Sequence, residues 1–427
     1  MGTQEPSAWK KTIMAAMTSY IDAGSIVAGA AGLSLWQAYL QMDGVQMGML
    51  AALSSNAGSA AVGALIGGRL CDRYGRKFVY TYDLLLYVLG MLFIVFGVNY
   101  AMLLAGYIIV GPSVGADIVA SWTLIAEEAP AENRAKHCGS AQFAWALGPA
   151  VVLAISAWIN QFGLIGNRIV FGHLIIVALW VWYQRLQMPE SKDWKAAKEA
   201  ELKLIKEGKV KPVSYGQLLS GINLKTVLFL CGVYSIWNLC ASTWGFFMPY
   251  IYENVGRLSN SMSQIMSVAS FLISIVGTYF IFMRLGDKVS RRLLYFIIGG
   301  IYVVAWGVWV LPPDMLSMWM LYMFTIFAGL NNGAGQQAFY QLWCSELFPT
   351  KYRATAQGLT FFVTRILAAV WGFSMPIIMN SVGFRYAAMI MVGFAIASWL
   401  IGTLGAPQTQ GKTLKDIEIE RYGHVVR

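Results

Sequence analysis

The stretch GGRLCDRYGRK (residues 67–77) recurs in altered form as RLGDKVSRR (residues 284–292). Each is a short basic segment that contains one aspartate and follows a long apolar stretch. The shared residues stand at the same spacing: Asp72, Arg76 and Lys77 in the first copy, Asp287, Arg291 and Arg292 in the second. One such segment is a weak signal, but two at equivalent places indicate a chain built from two related halves.

A second pair of segments repeats at a constant offset. EEAPAENR (127–134) follows the fourth apolar stretch, and ELFPTKYR (346–353) follows the tenth. The matching residues are Glu127, Pro130 and Arg134 in the first segment and Glu346, Pro349 and Arg353 in the second. The duplication therefore extends over most of the chain.

The composition is typical of a membrane protein. Of 427 residues, 57% are hydrophobic and 12% are charged, which is about half the charged share of a soluble protein. One crossing of a bilayer needs roughly 20 apolar residues, and the sequence contains twelve such stretches. We name them spans 1 to 12 and place them at 12–40, 46–68, 78–99, 101–126, 136–160, 165–186, 224–251, 261–283, 292–312, 317–343, 355–379 and 384–404.

Basic residues lie mostly on one side of these spans. They cluster after spans 2, 8 and 10 and in the segment 192–211, whereas only Arg168, Arg257 and Arg385 lie near span ends on the other side. Because short cytoplasmic loops are rich in Lys and Arg, both termini are predicted to be cytoplasmic. Topology and contact with anionic membrane lipid account for the net charge of +10 without a nucleic-acid partner. We expect a multi-pass integral protein of a bacterial inner membrane or a plasma membrane.

The longest polar stretch divides the chain near its middle. It runs from about Pro189 to Asn223 and mixes lysine and glutamate at helical spacing, which is typical of an amphipathic surface helix. The predicted organisation has three parts: an N-terminal six-helix bundle at 1–188, a cytoplasmic linker with an amphipathic helix at 189–223, and a C-terminal six-helix bundle with a short cytoplasmic tail at 224–427.

These segments resemble the motifs of the major facilitator superfamily, in its sugar-porter and metabolite:proton symporter branch. The resemblance rests on GGRLCDRYGRK, on PESKDW (189–194) after span 6 and on ELFPTKYR, and it covers essentially the whole chain. It implies an all-α membrane protein with the major facilitator fold. In that fold, two pseudo-symmetric six-helix bundles surround a central cavity and work by alternating access.

The chain departs from ordinary sugar porters in spans 4 and 7. Where those transporters carry glutamines that bind sugar hydroxyls, this chain has Ile236, Trp237 and Ser242, and Tyr107 stands where they carry an arginine. In span 11, Arg365 resembles an arginine of bacterial metabolite transporters of this branch and of animal organic-anion carriers. The resemblance therefore implies a polar solute without selecting a sugar.

Three charged residues lie deep within the spans: Asp22, Asp117 and Arg365. A charge at mid-membrane costs at least about 2.5–3.5 kcal/mol, so such residues usually face a cavity or a partner. Asp22 and Asp117 are predicted to carry the coupling proton, because moving a carboxyl between dry and charged surroundings changes its proton affinity. For Asp22 the alternative is a fixed ion pair or a hydrogen-bonded structural acid, and for Asp117 it is a pair with Arg365 or a cap on a kink at Pro112. Arg365 is predicted to bind a substrate carboxylate, or else to balance one of the two aspartates.

Substrate is predicted to bind in a hydrated cavity lined from spans 1, 4, 7 and 10. Span 10 is rich in amides, which are costly in a membrane unless they find partners, and several recur at helical spacing on one face. The predicted substrate-binding residues are Arg365, Gln336, Gln337, Tyr340, Gln341, Asn332, Asn238, Ser242, Trp244 and Gln142.

The repeated loop motifs are predicted to form an inner gate. Acidic residues accompany the basic ones at repeated positions, so ion pairs within each half can close the cytoplasmic side. The alternative is that the basic residues only fix the topology. The predicted gate residues are Asp72, Arg73, Arg76, Glu127 and Arg134 in the first half, and Asp287, Arg291, Glu346 and Arg353 in the second.

The sequence carries no nucleophile–base pair, no metal-ligand spacing and no ATP-binding loop. We therefore predict a secondary active transporter rather than an enzyme: a proton-coupled symporter of a small polar organic solute such as a sugar, polyol, sugar acid or other organic acid. It is expected to use the proton gradient without a cofactor or metal and to act as a monomer. A facilitative carrier or drug-type exporter is the first alternative, and a non-transporting membrane receptor of the same fold is the second.

Overall fold

The computed structural model describes residues 7–53, 57–207 and 215–424. Each predicted span forms one helix or a series of consecutive helices, so the predicted all-α class is confirmed. Ten of the helices in the described ranges are long and apolar enough to cross a membrane. Spans 2 and 10 are outside that number because each is interrupted. Except in span 2, the predicted windows end within about five residues of the observed helices.

The spans comprise these helices: span 1, Ala8–Leu40; span 2, Gly44–Ala52 and Gly58–Tyr74; span 3, Arg76–Val95; span 4, Tyr100–Glu128; span 5, Arg134–Trp158; span 6, Gly163–Leu186; span 7, Gly221–Asn254; span 8, Asn260–Val276, the π-helix Gly277–Phe282 and Met283–Leu285; span 9, Arg291–Gly307; span 10, Met318–Ala334 and Gln336–Leu347; span 11, Arg353–Val382; span 12, Phe384–Gly405.

The interruptions of spans 2 and 10 were not predicted. Span 2 continues to Tyr74, so Asp72 lies on the last turn of a helix and not in a loop. Span 10 breaks at Gly335, whose backbone (φ −100°, ψ −140°) leaves the helical region. A Cβ atom at Gly335 would lie 2.5 Å from the carbonyl oxygen of Asn331, so a side chain there would collide with the preceding turn.

The same helix pairs form in both halves. Span 1 packs against span 5, span 2 against span 4 and span 3 against span 6, and spans 7 and 11, 8 and 10, and 9 and 12 pack in the equivalent way. Small residues allow the backbones to approach closely. A Cβ atom on Gly115 would lie 2.2 Å from the Ala60 carbonyl oxygen, and one on Gly148 would lie 2.4 Å from that of Tyr20. This pairing agrees with the duplication inferred from the loop motifs.

The two halves touch where span 2 crosses span 11 and where span 5 crosses span 8. At the first crossing, a Cβ atom on Gly68 would lie 2.4 Å from the Ala354 carbonyl oxygen, and one on Gly358 would lie 2.3 Å from that of Ala64. Backbone therefore lies directly on backbone between the halves.

Two surface helices lie on one side of the molecule. The linker helix Lys192–Lys206 begins at Ser191, whose side chain caps its first turn. The C-terminal helix Leu414–Tyr422 is anchored to span 7 by the Tyr422 hydroxyl, which donates to Asn223 Oδ1 at 2.7 Å. We call the membrane side that carries these helices the linker side.

Candidate functional site

A central cavity lies between the two halves. Its wall is built from spans 1, 5, 7, 8, 10 and 11, whereas the sequence predicted spans 1, 4, 7 and 10. Among the described residues span 4 contributes no side chain to this wall. Some of its polar side chains bond within the first half instead, and the Ser121 hydroxyl lies 2.7 Å from that of Thr18 in span 1.

Polar side chains from the second half reach the cavity wall. Five of the predicted residues are among them: Asn238 and Ser242 from span 7, Asn332 and Gln337 from span 10, and Arg365 from span 11. Amide, hydroxyl and guanidinium groups together can both donate and accept hydrogen bonds. Such a wall matches a solute that carries several hydroxyl or carboxylate groups.

Aromatic side chains form much of the remaining wall. Trp145, Tyr234, Trp237 and Phe271 line the same cavity, and the Arg365 guanidinium lies over an aromatic ring of its own helix, which limits its orientation. Apolar and aromatic walls with a few placed polar groups are the usual composition of a small-molecule site.

Four predicted substrate-binding residues lie off this wall because they bond or stack within the protein: Gln142, Gln336, Tyr340 and Gln341. The Gln142 amide donates to the Asn332 carbonyl oxygen at 2.6 Å and so joins span 5 to span 10. Gln341 Nε2 lies 3.5 Å from Gln142 Oε1. Tyr340 stacks face to face on Tyr234, with 4.0 Å between the ring centres. These side chains connect helices around the cavity.

The cavity continues away from the linker side. A second space is lined by Val27, Gly245 and Phe271, which also line the first, and it runs on past the predicted residue Trp244 and past Ala31. Span 1 begins on the linker side, so the step from Val27 to Ala31 leads toward the opposite side. The space beside the cavity therefore extends toward that opposite side.

Asp22 lies directly beside the cavity. It is 1% exposed, and its two carboxylate oxygens have no hydrogen-bond partner within the described residues. The next residue, Ala23, lines the cavity, and the charges that act on Asp22 are those of Arg365 and Asp117. An ionised carboxylate without hydrogen bonds is costly to bury, so Asp22 is suited to take up a proton.

Asp117 pairs with Arg185 and not with Arg365, which was the predicted alternative. Arg185 Nη1 lies 2.7 Å from Asp117 Oδ1. The same guanidinium donates to the Met14 carbonyl oxygen at 2.9 Å and to the Thr18 hydroxyl. Asp117 therefore belongs to a buried polar cluster inside the first half rather than to the cavity wall.

Asp83 of span 3 belongs to the same cluster. Its carboxyl lies within hydrogen-bonding reach of the Asp117 carboxyl and in the field of Arg185. The sequence prediction missed both Asp83 and Arg185. Arg185 stands in the last turn of span 6, where a basic residue is the usual topology signal. Asp83 is an acid inside an apolar window, and that was the signal that could have identified it.

Ion pairs join the two halves on the linker side. Asp72, Arg76, Glu127 and Arg353 form what we call the first gate cluster. Glu127 Oε1 lies 2.6 Å from Arg76 Nη2 and 2.9 Å from Arg353 Nη1. One buried carboxylate thereby holds span 11 of the second half against spans 3 and 4 of the first.

The second gate cluster consists of Arg134, Asp287, Arg291 and Glu346 and has the same design. Glu346 lies 2.8 Å from Arg291 and 3.0 Å from Arg134. The sequence prediction placed the pairs of Arg134 and Arg353 within their own halves, and this was wrong. Each arginine opens a helix, span 5 or span 11, that packs against the opposite half, and its side chain therefore reaches across.

Each gate aspartate caps a helix of the other half. Asp72 accepts hydrogen bonds from two N–H groups at the start of span 11, of which that of Thr355 is 2.7 Å away. Asp287 accepts from the N–H groups of Ala135 and Lys136 at the start of span 5, both at 3.0 Å. A carboxylate at a helix N-terminus is favoured by the helix dipole, so the caps stabilise the contact between the two halves on the linker side.

Arg73 stands outside both gate clusters, contrary to the prediction. Its side chain is exposed on the surface of span 2, and its guanidinium lies 5.1 Å from the centre of the Tyr74 ring. The neighbouring Asp72 is buried, because successive residues of a helix point in different directions.

The PESKDW segment that opens the linker also joins the first gate cluster. Ser191 donates to Glu127 Oε2 at 2.6 Å, and the Trp194 indole N–H donates to the Asp72 carbonyl oxygen at 3.0 Å. Glu190 accepts from the first N–H group of span 3. The start of the linker is therefore bound to the first gate cluster.

Sequence and structure comparisons place these features in a known family. The family profile described as Major Facilitator Superfamily matches residues 12–373 and 240–423 of this chain. The minor myo-inositol transporter IolF of Bacillus subtilis (strain 168) is 50% identical over 415 residues, which cover 97% of this chain and 94% of that relative. The major myo-inositol transporter IolT of the same organism is 24% identical, covering 86% of this chain and 84% of its own.

A solved structure supports the same fold. The proton:xylose symporter XylE bound to 6-bromo-6-deoxy-D-glucose has a TM-score of 0.80 to this chain at 17% identity, covering 97% of this chain and 98% of XylE. The family resemblance is thus confirmed, and with it the twelve-helix fold and the prediction of a transporter rather than an enzyme. With a profile match across both halves and a relative at 50% identity, the chain belongs to the Major Facilitator Superfamily.

Proposed function

We propose that this transporter is a proton-coupled symporter of a polyol, with myo-inositol as the first candidate. The observation that carries the proposal is Asp22, a buried carboxyl without hydrogen bonds among the described residues, beside a cavity rich in hydrogen-bonding side chains. The identity to a myo-inositol transporter supports the choice of solute.

The proposed cycle follows from the cost of burying a charge. When the cavity is open away from the linker side, Asp22 takes up a proton, and the solute binds to the polar wall. The neutral carboxyl tolerates dehydration better than the carboxylate, so the loaded cavity can close. Parting of the two gate clusters then admits water from the linker side, where proton and solute leave.

The proposed organisation assigns the movement to two six-helix bundles, 1–188 and 224–427, connected by the linker 189–223. The excess of basic residues on the linker side supports a cytoplasmic location for both termini. In this proposal the protein works as a monomer in the cytoplasmic membrane of a bacterium and carries its solute inward.

Asp22→Asn is expected to abolish proton-driven accumulation of myo-inositol in proteoliposomes while leaving counterflow exchange intact. Asparagine resembles the protonated carboxyl in shape but cannot release a proton. The measurement is uptake of radiolabelled myo-inositol with and without an inward proton gradient. Asp314→Asn changes an exposed acid and is the matched control. Gradient-driven accumulation by Asp22→Asn would refute coupling through this residue.

A carboxylated metabolite is the second candidate, because Arg365 lines the cavity. For such a solute, Arg365→Lys is expected to weaken binding about ten-fold or more. Lysine lacks the planar guanidinium that donates two parallel hydrogen bonds to a carboxylate, so one charged hydrogen bond worth about 1.5–3 kcal/mol is lost. The measurement is a thermal-shift titration of both proteins with myo-inositol and with sugar acids. Stabilisation by myo-inositol supports the polyol. Stabilisation by acids alone, lost in Arg365→Lys, selects the second candidate.

A further inference from the structure

We propose that Asp83 and Asp117 share one proton and form a second proton site, on the linker side of the cavity. We call these two residues the carboxyl pair. The transport role of the pair rests on the proton coupling proposed above. Its protonation can be measured without any substrate, so the two proposals can fail separately.

Charge balance is the first argument. Asp83, Asp117 and Arg185 are all buried, with 5%, 2% and 1% of their surfaces exposed. Two acids therefore accompany one permanent cation. A net charge is costly in such surroundings, and a single proton on the pair makes the three residues neutral together.

Hydrogen bonding is the second argument. Arg185 donates to Asp117 at 2.7 Å, and its other hydrogen bonds within the described residues go to backbone and hydroxyl oxygens of spans 1 and 4, as at Met14. Asp83 Oδ2 is buried and has no hydrogen-bond partner in the described residues. Yet the Asp117 carboxyl is within hydrogen-bonding reach of the Asp83 carboxyl. Ionised carboxylates only accept hydrogen bonds, so this contact becomes favourable only with a proton between them.

The position of the pair relative to Asp22 is the third argument. The hydroxyls of Thr18 and Ser121 meet at 2.7 Å, where spans 1 and 4 run in opposite directions. Asp22 lies one helical turn beyond Thr18, and Asp117 lies one turn before Ser121. Both aspartates are therefore at the same level and on facing sides of the two helices.

The surroundings of the pair define its chemistry. The charged or titratable groups that face it are Arg185 from span 6, Tyr80 from span 3 and Asp22 from span 1. Cys71 of span 2 is near Tyr80. When the linker side opens, water can accept the proton of the pair, which leaves a second carboxylate. That carboxylate then accepts the proton of Asp22 and restores the shared form.

Infrared spectroscopy of the purified protein tests the shared proton directly. Wild type at neutral pH is expected to show the C=O stretching band of a protonated carboxyl. Asp83→Asn and Asp117→Asn should each remove this same band, because the remaining acid then balances Arg185 as a carboxylate. Asp22→Asn should leave it. Absence of the band in wild type, or its survival in both pair variants, overturns the proposal. A protonated Asp22 contributes a band of its own, so the band that persists in Asp22→Asn is the one assigned to the pair, and its presence there stands even if a pair variant does not fold.

Transport measurements test the role of the pair in coupling. Asp83→Asn is expected to lose accumulation of radiolabelled myo-inositol above the external concentration, while counterflow persists, as with Asp22→Asn. Full gradient-driven accumulation by Asp83→Asn, in a preparation where Asp22→Asn is uncoupled, would rule out a role for the pair. If wild type itself shows no coupling, the proposed function fails, and the infrared result still decides whether the proton is shared.

Discussion

Replacing Glu127 with glutamine is expected to shift the protein from the closed to the open state of the linker side. The substitution leaves Arg76 and Arg353 without their shared carboxylate. Removing one partner of a buried ion pair typically costs about 3–5 kcal/mol. When the gate opens, water can hydrate these arginines, so the substitution destabilises the closed state more than the open state. The ratio of open to closed protein should therefore rise about a hundred-fold or more.

Two native cysteines report on this change. Cys71 lies beside the first gate cluster and Cys138 beside the second, and both are buried in the closed gate. Their rates of reaction with a water-soluble maleimide, read by mass spectrometry of the labelled peptides, should rise in Glu127→Gln. Glu128→Gln is a matched control, because Glu128 pairs with Lys11 of its own half. Equal labelling in the two variants would contradict the gate assignment.

Arg185→Met is expected to be the most destabilising single change in the first half. It removes the only basic side chain that the described structure places on the carboxyl pair, and breaking such a buried pair typically costs about 3–5 kcal/mol. The midpoint of thermal unfolding in detergent should fall strongly. Stability should recover in part at lower pH, because protonation removes the uncompensated charge.

A second substitution isolates the cause of that loss. Arg185→Met combined with Asp117→Asn removes one acid together with the base, so it should be more stable than Arg185→Met alone. Arg385→Met, which changes an exposed arginine, serves as the control and should unfold close to wild type. If the double variant is no more stable than the single one, packing rather than charge explains the role of Arg185.

The fold was largely predictable because its signals are local. Apolar length determines where a helix can cross a membrane, and repeated loop motifs reveal the duplication. The interruption at Gly335 was not predicted, because the length of an apolar stretch contains no information on backbone contacts within it. At Gly335 a side chain would collide with the preceding turn. The gate residues were identified by type, but Arg134 and Arg353 were assigned to the wrong half. A repeated motif shows which residues of the two halves correspond, but it does not show which helices of the two halves contact each other.

The site was only partly predictable for a related reason. Sequence gives the depth of a residue in the membrane but not the direction of its side chain around the helix. Asp117 was therefore recognised as deep, while its partner Arg185, in the last turn of span 6, was not identified. Gln336 and Gln337 are adjacent in sequence, yet only Gln337 lines the described cavity wall. That difference depends on how the helix beyond Gly335 is turned.

The crossed caps of the gate have a consequence for the origin of the chain. Asp72 caps the start of span 11, and Asp287 caps the start of span 5. Each half therefore supplies the aspartate that caps a helix of the other half. A six-helix ancestor with one copy of the motif could not have sealed itself. It would have needed a second copy of itself, so that the aspartate of each copy capped a helix of the other. Joining two such copies in one polypeptide makes this contact intramolecular.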